Sequence, residues 1–134
     1  MSARKIYNAA LVGCGRIGYS LGLDKKREQP ASHTMALNEN PRINLIAGCD
    51  TEGIRLGEWQ EANKKALTYS DSATLYSRHK LDIVTIAVNE KAHLKECIDA
   101  IHAGPKLIIL EKPVALNLDE AFLIQKEQLV QRFF

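Results

Sequence analysis

Short apolar runs alternate with stretches of helical periodicity along this chain, and that order leaves few folds open. The runs are apolar throughout instead of alternating with polar residues, which is typical of strands covered on both faces. Buried strands separated by helices predict a parallel, doubly wound α/β sheet. At 134 residues the chain has the length of one domain. The five predicted strands are Tyr7–Val12, Asn44–Cys49, Leu67–Tyr69, Ile83–Val88 and Lys106–Leu110.

Helical signals stand between and after these strands. Residues 94–101 place four apolar side chains on one stripe, and Gly104 follows as the predicted stop. A weaker stripe over residues 59–66 predicts a helix after the second strand. Asn117 and Glu120 have the spacing of an N-cap residue and its N3 partner, which predicts a last helix.

Composition narrows the class of protein. The formal net charge is only +2, and the one dense basic run, residues 25–27, has no aromatic residues beside it. We read that run as a solvated loop and expect no nucleic-acid partner. The three cysteines are odd in number and lack ligand spacing, so we expect no disulfide, no metal site and a cytoplasmic location. The apolar run near the N-terminus is too short for a signal peptide, and we expect no membrane segment.

Three glycines follow the first predicted strand at the spacing G-x-G-x-x-G. Gly13 would allow the tight turn, Gly15 would let backbone amides approach a diphosphate, and Gly18 would let helix and strand pack closely. We expect the first helix to begin here and to offer its free N–H groups to the phosphates. The pattern predicts a dinucleotide site. The alternatives are a turn with only a packing role, or a site for another nucleotide-like ligand.

An acidic residue, Asp50, ends the second strand and suits the ribose hydroxyls of NAD. It stands 32 residues beyond Gly18, where about 20 are usual. The polar segment 21–32 accounts for the surplus and predicts an insertion in or just after the first helix, as a surface loop or a flap over the cofactor. Asp50 could instead only cap the following helix. Arg55 stands close enough to leave NADP open beside NAD.

Four segments together resemble the nucleotide-binding half of the Gfo/Idh/MocA family of NAD(P)-dependent oxidoreductases. They are AALVGCGRIG, HTMALNENPRINLIAGCD, LDIVTIAVNEKAHLKECIDAIHAG and LEKPVALNLDEA, and the similarity covers about residues 6–124 in the family's order. The Glu-Lys-Pro after the fifth strand is its most specific mark. Val88, Asn89 and Glu90 stand where the family usually has Thr, Pro and Asn.

The resemblance implies roles for particular residues. Lys112 would reach the nicotinamide and the substrate hydroxyl as the catalytic residue, with Glu111 and Pro113 shaping a turn whose Lys–Pro bond is often cis. His93 matches a histidine of the family's pattern. The nicotinamide ring carries a positive charge in NAD⁺, which would favour proton exchange between Lys112 and an alcohol. The complete predicted cofactor set is Gly13, Cys14, Gly15, Arg16, Ile17, Gly18, Asp50, Arg55, Ala87, Val88, Asn89, His93, Glu111 and Lys112.

The family continues into a substrate domain, which we expect to be absent from this chain. We therefore expect residues 1–134 to form one Rossmann domain that binds NAD, with NADP as the second possibility. A small hydroxylated substrate would bind only if a second domain or chain completes the site, and the chain alone would be inactive. A non-catalytic NAD(P)-binding module that senses cofactor or serves a partner chain is the alternative. A methyltransferase could share the glycines and the acid but would not explain Glu-Lys-Pro. An unpaired fifth strand and apolar residues in the last segment also predict a homo-oligomer.

Overall fold

The structure is a computed structural model that describes residues 3–133, with side chains from residue 3 to residue 131. Its elements alternate along the chain as the sequence predicts. The strands are β1 (Tyr7–Val12), β2 (Ile43–Cys49), β3 (Leu67–Tyr69), β4 (Ile83–Ile86) and β5 (Leu107–Leu110). The helices are α1 (His33–Glu39), α2 (Gly53–Ala62), α3 (Ser72–Arg78), α4 (His93–Ala103) and α5 (Leu118–Phe133).

All five strands lie in one parallel sheet with the order β3-β2-β1-β4-β5. Side chains of β1 alternate between two cores, because successive residues of a strand point to opposite faces. Ala9 and Leu11 pack with α1 and α2 on one face, and Ala10 and Val12 pack with α3 and α4 on the other. Helices cover both faces, so the predicted doubly wound Rossmann architecture is confirmed.

Some predicted boundaries are wrong by one or more residues. β4 ends at Ile86 and not at Val88, because its partner β1 ends at Val12 and leaves no ladder beyond the bond from Ala87 N–H to Val12 O. The helix predicted from the apolar stripe over residues 59–66 is too long at its C-terminal end, since α2 ends at Ala62. The short helix α3, which Asp71 caps by accepting the N–H of Thr74 at 2.8 Å, lacks a clear periodic signal. The predicted Asn117–Glu120 cap of α5 is confirmed, with Glu120 N–H donating to Asn117 Oδ1 at 2.9 Å.

The first helix differs most from expectation, because no continuous helix follows Gly18. One helical turn forms at residues 15–21, a 3₁₀ helix covers Ser20–Leu23, and α1 begins only at His33. Nevertheless, α1 continues the hydrogen bonding of the first turn: His33 N–H donates to Ile17 O at 3.0 Å and Thr34 N–H to Gly18 O at 2.9 Å. These partners are sixteen residues apart, where an α-helix spans four. Twelve residues are therefore inserted into one helix, in agreement with the predicted segment 21–32.

Candidate functional site

The carboxyl ends of β1, β4 and β5 lie side by side at one edge of the sheet. Val12 pairs with Ile86, and Ile86 pairs with Leu110. The segments that follow these strands therefore meet at the edge where open α/β sheets bind ligands. We call them the glycine turn (residues 13–18), the β4 loop (residues 87–92) and the EKP turn (Glu111, Lys112 and Pro113).

Gly13 brings the glycine turn against the β4 loop. Its φ of +100° lies in the left-handed region that side-chain-bearing residues rarely adopt. A Cβ at this position would stand 2.6 Å from the carbonyl carbon and oxygen of Ala87. Gly18 is confined as well, because a Cβ there would collide with the carbonyl oxygen of Gly13. Both positions exclude a side chain for reasons of space.

Gly15, in contrast, faces open space. Beyond its chain neighbours, the one heavy atom of the described residues within 4 Å of its Cβ position is Nη1 of Arg55, at 3.6 Å. Within the described chain, the N–H groups of residues 15–18 donate to no protein acceptor. Tyr19 N–H donates to Gly15 O at 2.9 Å, so these amides open a helical turn, the arrangement that binds anions at helix N-termini. The turn therefore fits the diphosphate of a dinucleotide.

Asp50 supports this turn from behind. Its side chain is buried, with Oδ2 accepting the N–H of Cys14 at 2.9 Å and Oδ1 accepting the N–H of Glu52 at 2.8 Å. The residue at the N-cap position of α2 is Glu52, so Asp50 does not cap that helix. Each carboxylate oxygen can accept more than one hydrogen bond, which leaves Asp50 able to accept from ribose hydroxyls as well.

Arg55 adds positive charge beside the open amides. Its Nε lies 3.2 Å from Glu52 Oε2, and both side chains are at least half exposed. The ion pair leaves the Nη1 end of the guanidinium over Gly15. A cation here attracts a diphosphate and is also available to a 2′-phosphate.

The EKP turn is anchored at both of its ends. Glu111 Oε1 lies 2.8 Å from His33 Nε2, and Glu111 Oε2 accepts the N–H of Lys112 at 3.2 Å. Burial raises the pKa of Glu111, but the hydrogen bond and charge of His33 and the neighbouring Lys112 outweigh it and hold that pKa below its usual range. The Lys112–Pro113 peptide bond is cis, as the resemblance implies.

His93 anchors the other end of the EKP turn. Its ring is almost wholly buried, with Nδ1 at the carbonyl oxygen of Pro113 and Nε2 2.9 Å from the carbonyl oxygen of Val88. Carbonyl oxygens only accept, so a neutral ring donates to one of them and a doubly protonated ring to both. His93 thus links the β4 loop to the EKP turn, and its ring is not exposed at the surface of the site.

Lys112 lies between these two anchors with its side chain exposed. Its ammonium forms no ion pair with any residue from 3 to 131, the part of the chain whose side chains the structure describes. The group is therefore available to a ligand at the edge formed by the glycine turn and the β4 loop.

The remaining predicted residues fall at the same edge with different exposure. Arg16, Ile17 and Asn89 are exposed, and Val88 is half-buried. The thiol of Cys14 is buried, and burial together with the charge of Asp50 raises its pKa to about 12, so it stays protonated at neutral pH. The side chain of Cys14 is therefore not exposed to a ligand at this edge.

The sequence does not single out His33 as a site residue. The signal that could indicate it is its position on the first helix. When the twelve inserted residues are removed, His33 lies three positions after Gly18 on a continuous helix. Its contact with Glu111, however, joins positions 78 residues apart and needs the fold to be seen.

The sheet order, the glycine turn and the unpartnered amides define a dinucleotide-binding Rossmann domain. The GFO_IDH_MocA family model, an oxidoreductase family with an NAD-binding Rossmann fold, matches residues 7–128. The chain belongs to this family, and the cofactor of this domain is NAD.

Individual relatives are much longer than this chain. D-apiose dehydrogenase of Paraburkholderia graminis is 29% identical over 117 residues, which cover 87% of this chain and 28% of that protein. The WlbA dehydrogenase of Chromobacterium violaceum, solved with NADH and UDP-GlcNAcA, has a TM-score of 0.80 and 26% identity over 98% of this chain and 34% of its own. The Bordetella pertussis WlbA dehydrogenase, solved with the same two ligands, has a TM-score of 0.79 and 25% identity over 98% of this chain and 35% of its own. This chain thus spans about a third of the proteins it resembles. Across the described residues, no helix has the length and apolar character to cross a membrane.

Proposed function

We propose that this chain is the cofactor domain of an oxidoreductase that oxidises a hydroxyl group of a sugar, a polyol or a related compound by hydride transfer. The observation that carries the proposal is the position of Lys112. Its exposed ammonium, without an ion pair among the described residues, stands at the sheet edge that holds the open amides of the glycine turn. A module that only senses cofactor needs the glycine turn but has no use for this lysine.

In this proposal, different residues at the edge bind different parts of the cofactor. The amides of residues 15–18 and the guanidinium of Arg55 bind the diphosphate, and Asp50 accepts hydrogen bonds from the adenosine ribose. A carboxylate at that place also repels a 2′-phosphate, so we propose a preference for NAD over NADP. Ala87, Val88 and Asn89 line the nicotinamide side.

Bound NAD⁺ supplies the acceptor for the hydride that leaves the alcohol carbon. Lys112, as the free amine, takes the proton from the alcohol oxygen, so that the carbonyl forms without a build-up of charge. In the reverse direction, its ammonium donates that proton to the carbonyl oxygen. Glu111 and Pro113 hold the lysine backbone in place through their bonds to His33 and His93.

The names of the relatives support a sugar substrate. One relative is a D-apiose dehydrogenase, and two solved structures of WlbA dehydrogenases hold UDP-GlcNAcA. Both compounds named, D-apiose and UDP-GlcNAcA, carry sugar hydroxyls. We also propose a reducing, cytoplasmic location, because Cys14, Cys49 and Cys97 are buried free thiols.

We further propose that the isolated chain self-associates through the β5 side of the sheet. β5 is an edge strand, with Leu107 half exposed, and Leu118, Phe122 and Leu123 on α5 are also exposed. Unpaired edges and exposed apolar side chains favour association. Sedimentation velocity over a range of concentrations is the test, and a clean monomer at high concentration would argue against it.

The place of Lys112 can be tested by NMR on lysine side chains labelled by ¹³C reductive methylation. NAD⁺ should shift the Lys112 signal more than ADP-ribose does, because ADP-ribose lacks the nicotinamide. Lys91, exposed in the β4 loop, is the comparison signal, and Lys112→Ala assigns the peak. A Lys112 signal that NAD⁺ leaves unmoved, while the glycine-turn amides respond, would favour the non-catalytic alternative.

A further inference from the structure

We propose that His33 is a positioning residue that links the glycine turn to the EKP turn, so that binding of the diphosphate fixes the backbone of Lys112. The inference rests on the proposed function, because it assumes a dinucleotide on the glycine turn. Within the described residues, His33 forms no hydrogen bond with the open amides or with the lysine side chain.

The first half of the link joins the start of α1 to the glycine turn. His33 N–H donates to Ile17 O at 3.0 Å, and the carbonyl oxygen of Gly18 accepts both the N–H of Thr34 at 2.9 Å and its hydroxyl at 2.6 Å. The Thr34 hydroxyl in turn accepts the indole N–H of Trp59 at 3.0 Å. Trp59 is fully buried, so this end of α1 is held firmly. A displacement of the glycine turn is therefore transmitted to His33.

The second half joins His33 to the lysine backbone. His33 Nε2 lies 2.8 Å from Glu111 Oε1, and the two side chains are only 21% and 23% exposed. Glu111 Oε2 accepts the N–H of Lys112, and Glu111 N–H donates to Ile86 O at 3.0 Å. Each oxygen of this carboxylate thus has its own partner, and the bond to His33 sets the orientation of both.

The same arrangement keeps Glu111 from pairing with the Lys112 ammonium. The two residues are adjacent in the chain, and a carboxylate without a partner would attract the ammonium beside it. With His33 in place, the carboxylate is oriented with Oε1 toward the imidazole and Oε2 toward the Lys112 N–H. In this orientation the Lys112 ammonium forms no ion pair with Glu111, and the lysine side chain is left to the ligand. Loss of His33 would both loosen the turn and offer Lys112 a competing partner.

The experiment follows the backbone amide of Lys112 by two-dimensional NMR while the chain is titrated with ADP-ribose. This probe fills the glycine turn but has no nicotinamide to touch Lys112 directly. In the unaltered chain, we expect the amides of residues 15–18 and the amide of Lys112 to shift together. In His33→Ala, the glycine-turn shifts should remain and the Lys112 shift should be lost. His33→Gln, whose amide can still donate to Glu111, should restore it.

His102→Ala is the matched control, because His102 pairs with Glu127 at 2.6 Å on the surface, outside the three segments of the site. It should leave the Lys112 response unchanged. A Lys112 shift that persists in His33→Ala, or that is absent in the unaltered chain although residues 15–18 respond, would overturn the role of His33 alone. No response at residues 15–18 would overturn the proposed function, and the inference with it.

Discussion

Gly15 is the residue at which cofactor binding and folding separate most cleanly. Its Cβ position is open toward the ligand side, whereas those of Gly13 and Gly18 are blocked by backbone. Gly15→Val should therefore fold normally and lose dinucleotide affinity by about 100-fold or more, because the new side chain fills the space where diphosphate meets amide. Calorimetric titration with NADH measures the loss, and circular dichroism checks the fold.

Gly57→Val is the control for that substitution, since apart from the neighbouring backbone of α2 itself, no atom of the described residues lies within 4 Å of the Cβ position of Gly57. It adds the same side chain away from the site and should leave the affinity unchanged. Undiminished affinity in a folded Gly15→Val chain would remove the diphosphate from the glycine turn.

Asp50 accepts two backbone N–H groups in the structure, and the proposed function also assigns it to the ribose, so its replacement should have two effects. Asp50→Ser should narrow or reverse the preference for NADH over NADPH, because the carboxylate that binds the ribose and repels a 2′-phosphate is removed. It should also lower the free energy of unfolding by about 1–3 kcal/mol, since the buried N–H of Cys14 loses its acceptor. Titration with both cofactors and chemical unfolding measure the two effects.

Asp71→Ser serves as the comparison, because Ser also caps helices well and Asp71 caps α3, remote from Gly15 in the chain. Its cofactor preference should equal that of the unaltered chain. An NADPH preference in the unaltered chain would contradict the role of Asp50 and direct attention to Arg55.

At the level of elements, the inserted segment is separable from the helix that it interrupts. His33 N–H and Thr34 N–H donate to Ile17 O and Gly18 O. When residues 21–32 are not counted, both hydrogen bonds have the four-residue spacing of an α-helix. A chain that lacks residues 21–32 should therefore fold with one continuous first helix and bind NADH within about threefold of the original affinity. Circular dichroism and calorimetry are the measurements.

Deletion of residues 22–32 provides the out-of-phase control. It leaves one extra residue, which rotates His33 by about 100° around the helix and away from Glu111. This chain should be less stable than the in-phase deletion. Equal stability of the two deletions would show that α1 does not continue the first turn.

Asp82 lies at the amino ends of the strands, opposite the candidate site. It precedes β4 and contacts residues at the starts of β1 and β5. Its Oδ2 accepts the N–H of Asn8 at 2.9 Å, and its Oδ1 lies 3.5 Å from the ammonium of Lys106. The hydrogen bond from Asn8, and then Lys106, hold the pKa of Asp82 below its usual range. A carboxyl group whose pKa is lowered by folding contributes stability above its unfolded pKa, and that stability is lost as the pH falls through the folded value.

Stability should accordingly decline as the pH falls below about 4, and Asp82→Asn should make the decline shallower. Chemical unfolding at a series of pH values from neutral to strongly acidic gives both curves. Identical slopes would show that Asp82 does not carry this linkage.

The strands and the glycine turn could be predicted because their signals are local. Fully apolar runs identify β1 and β4, and the spacing of Gly13, Gly15 and Gly18 needs only the neighbouring strand for its interpretation. The sequence also located the insertion, since the distance from Gly18 to Asp50 exceeds the usual one by the length of segment 21–32. Asp50 follows the last residue of β2 directly, so the end of the apolar run is enough to place it.

The rest of the site depends on contacts between distant parts of the chain. The pair of His33 and Glu111 forms only when the insertion is set aside and β5 lies beside β4. The two carbonyl oxygens around His93 belong to Val88 and Pro113, and no spacing of side chains reveals them. The helix α3 cannot be predicted from its sequence, because its seven residues are too few to show a period.

For the molecule as a whole, the proposed function makes the described residues one wall of an active site. In that proposal the amides of the glycine turn and Asp50 bind the cofactor, and the exposed Lys112 is the one group among the described residues that is assigned to the alcohol. Hydride transfer needs the reacting atoms held about 3 to 3.5 Å apart. The 134-residue chain alone should therefore bind NAD⁺ without steady NADH production from inositols or sugars, as followed by absorbance.

The central claim is that this sheet edge binds a nicotinamide dinucleotide, and calorimetric titration of the unaltered chain with NAD⁺ tests it most directly. We predict saturable binding at one site per chain, with no heat of binding from S-adenosylmethionine under the same conditions. Absence of NAD⁺ binding by a folded chain, or a preference for S-adenosylmethionine, would contradict the account.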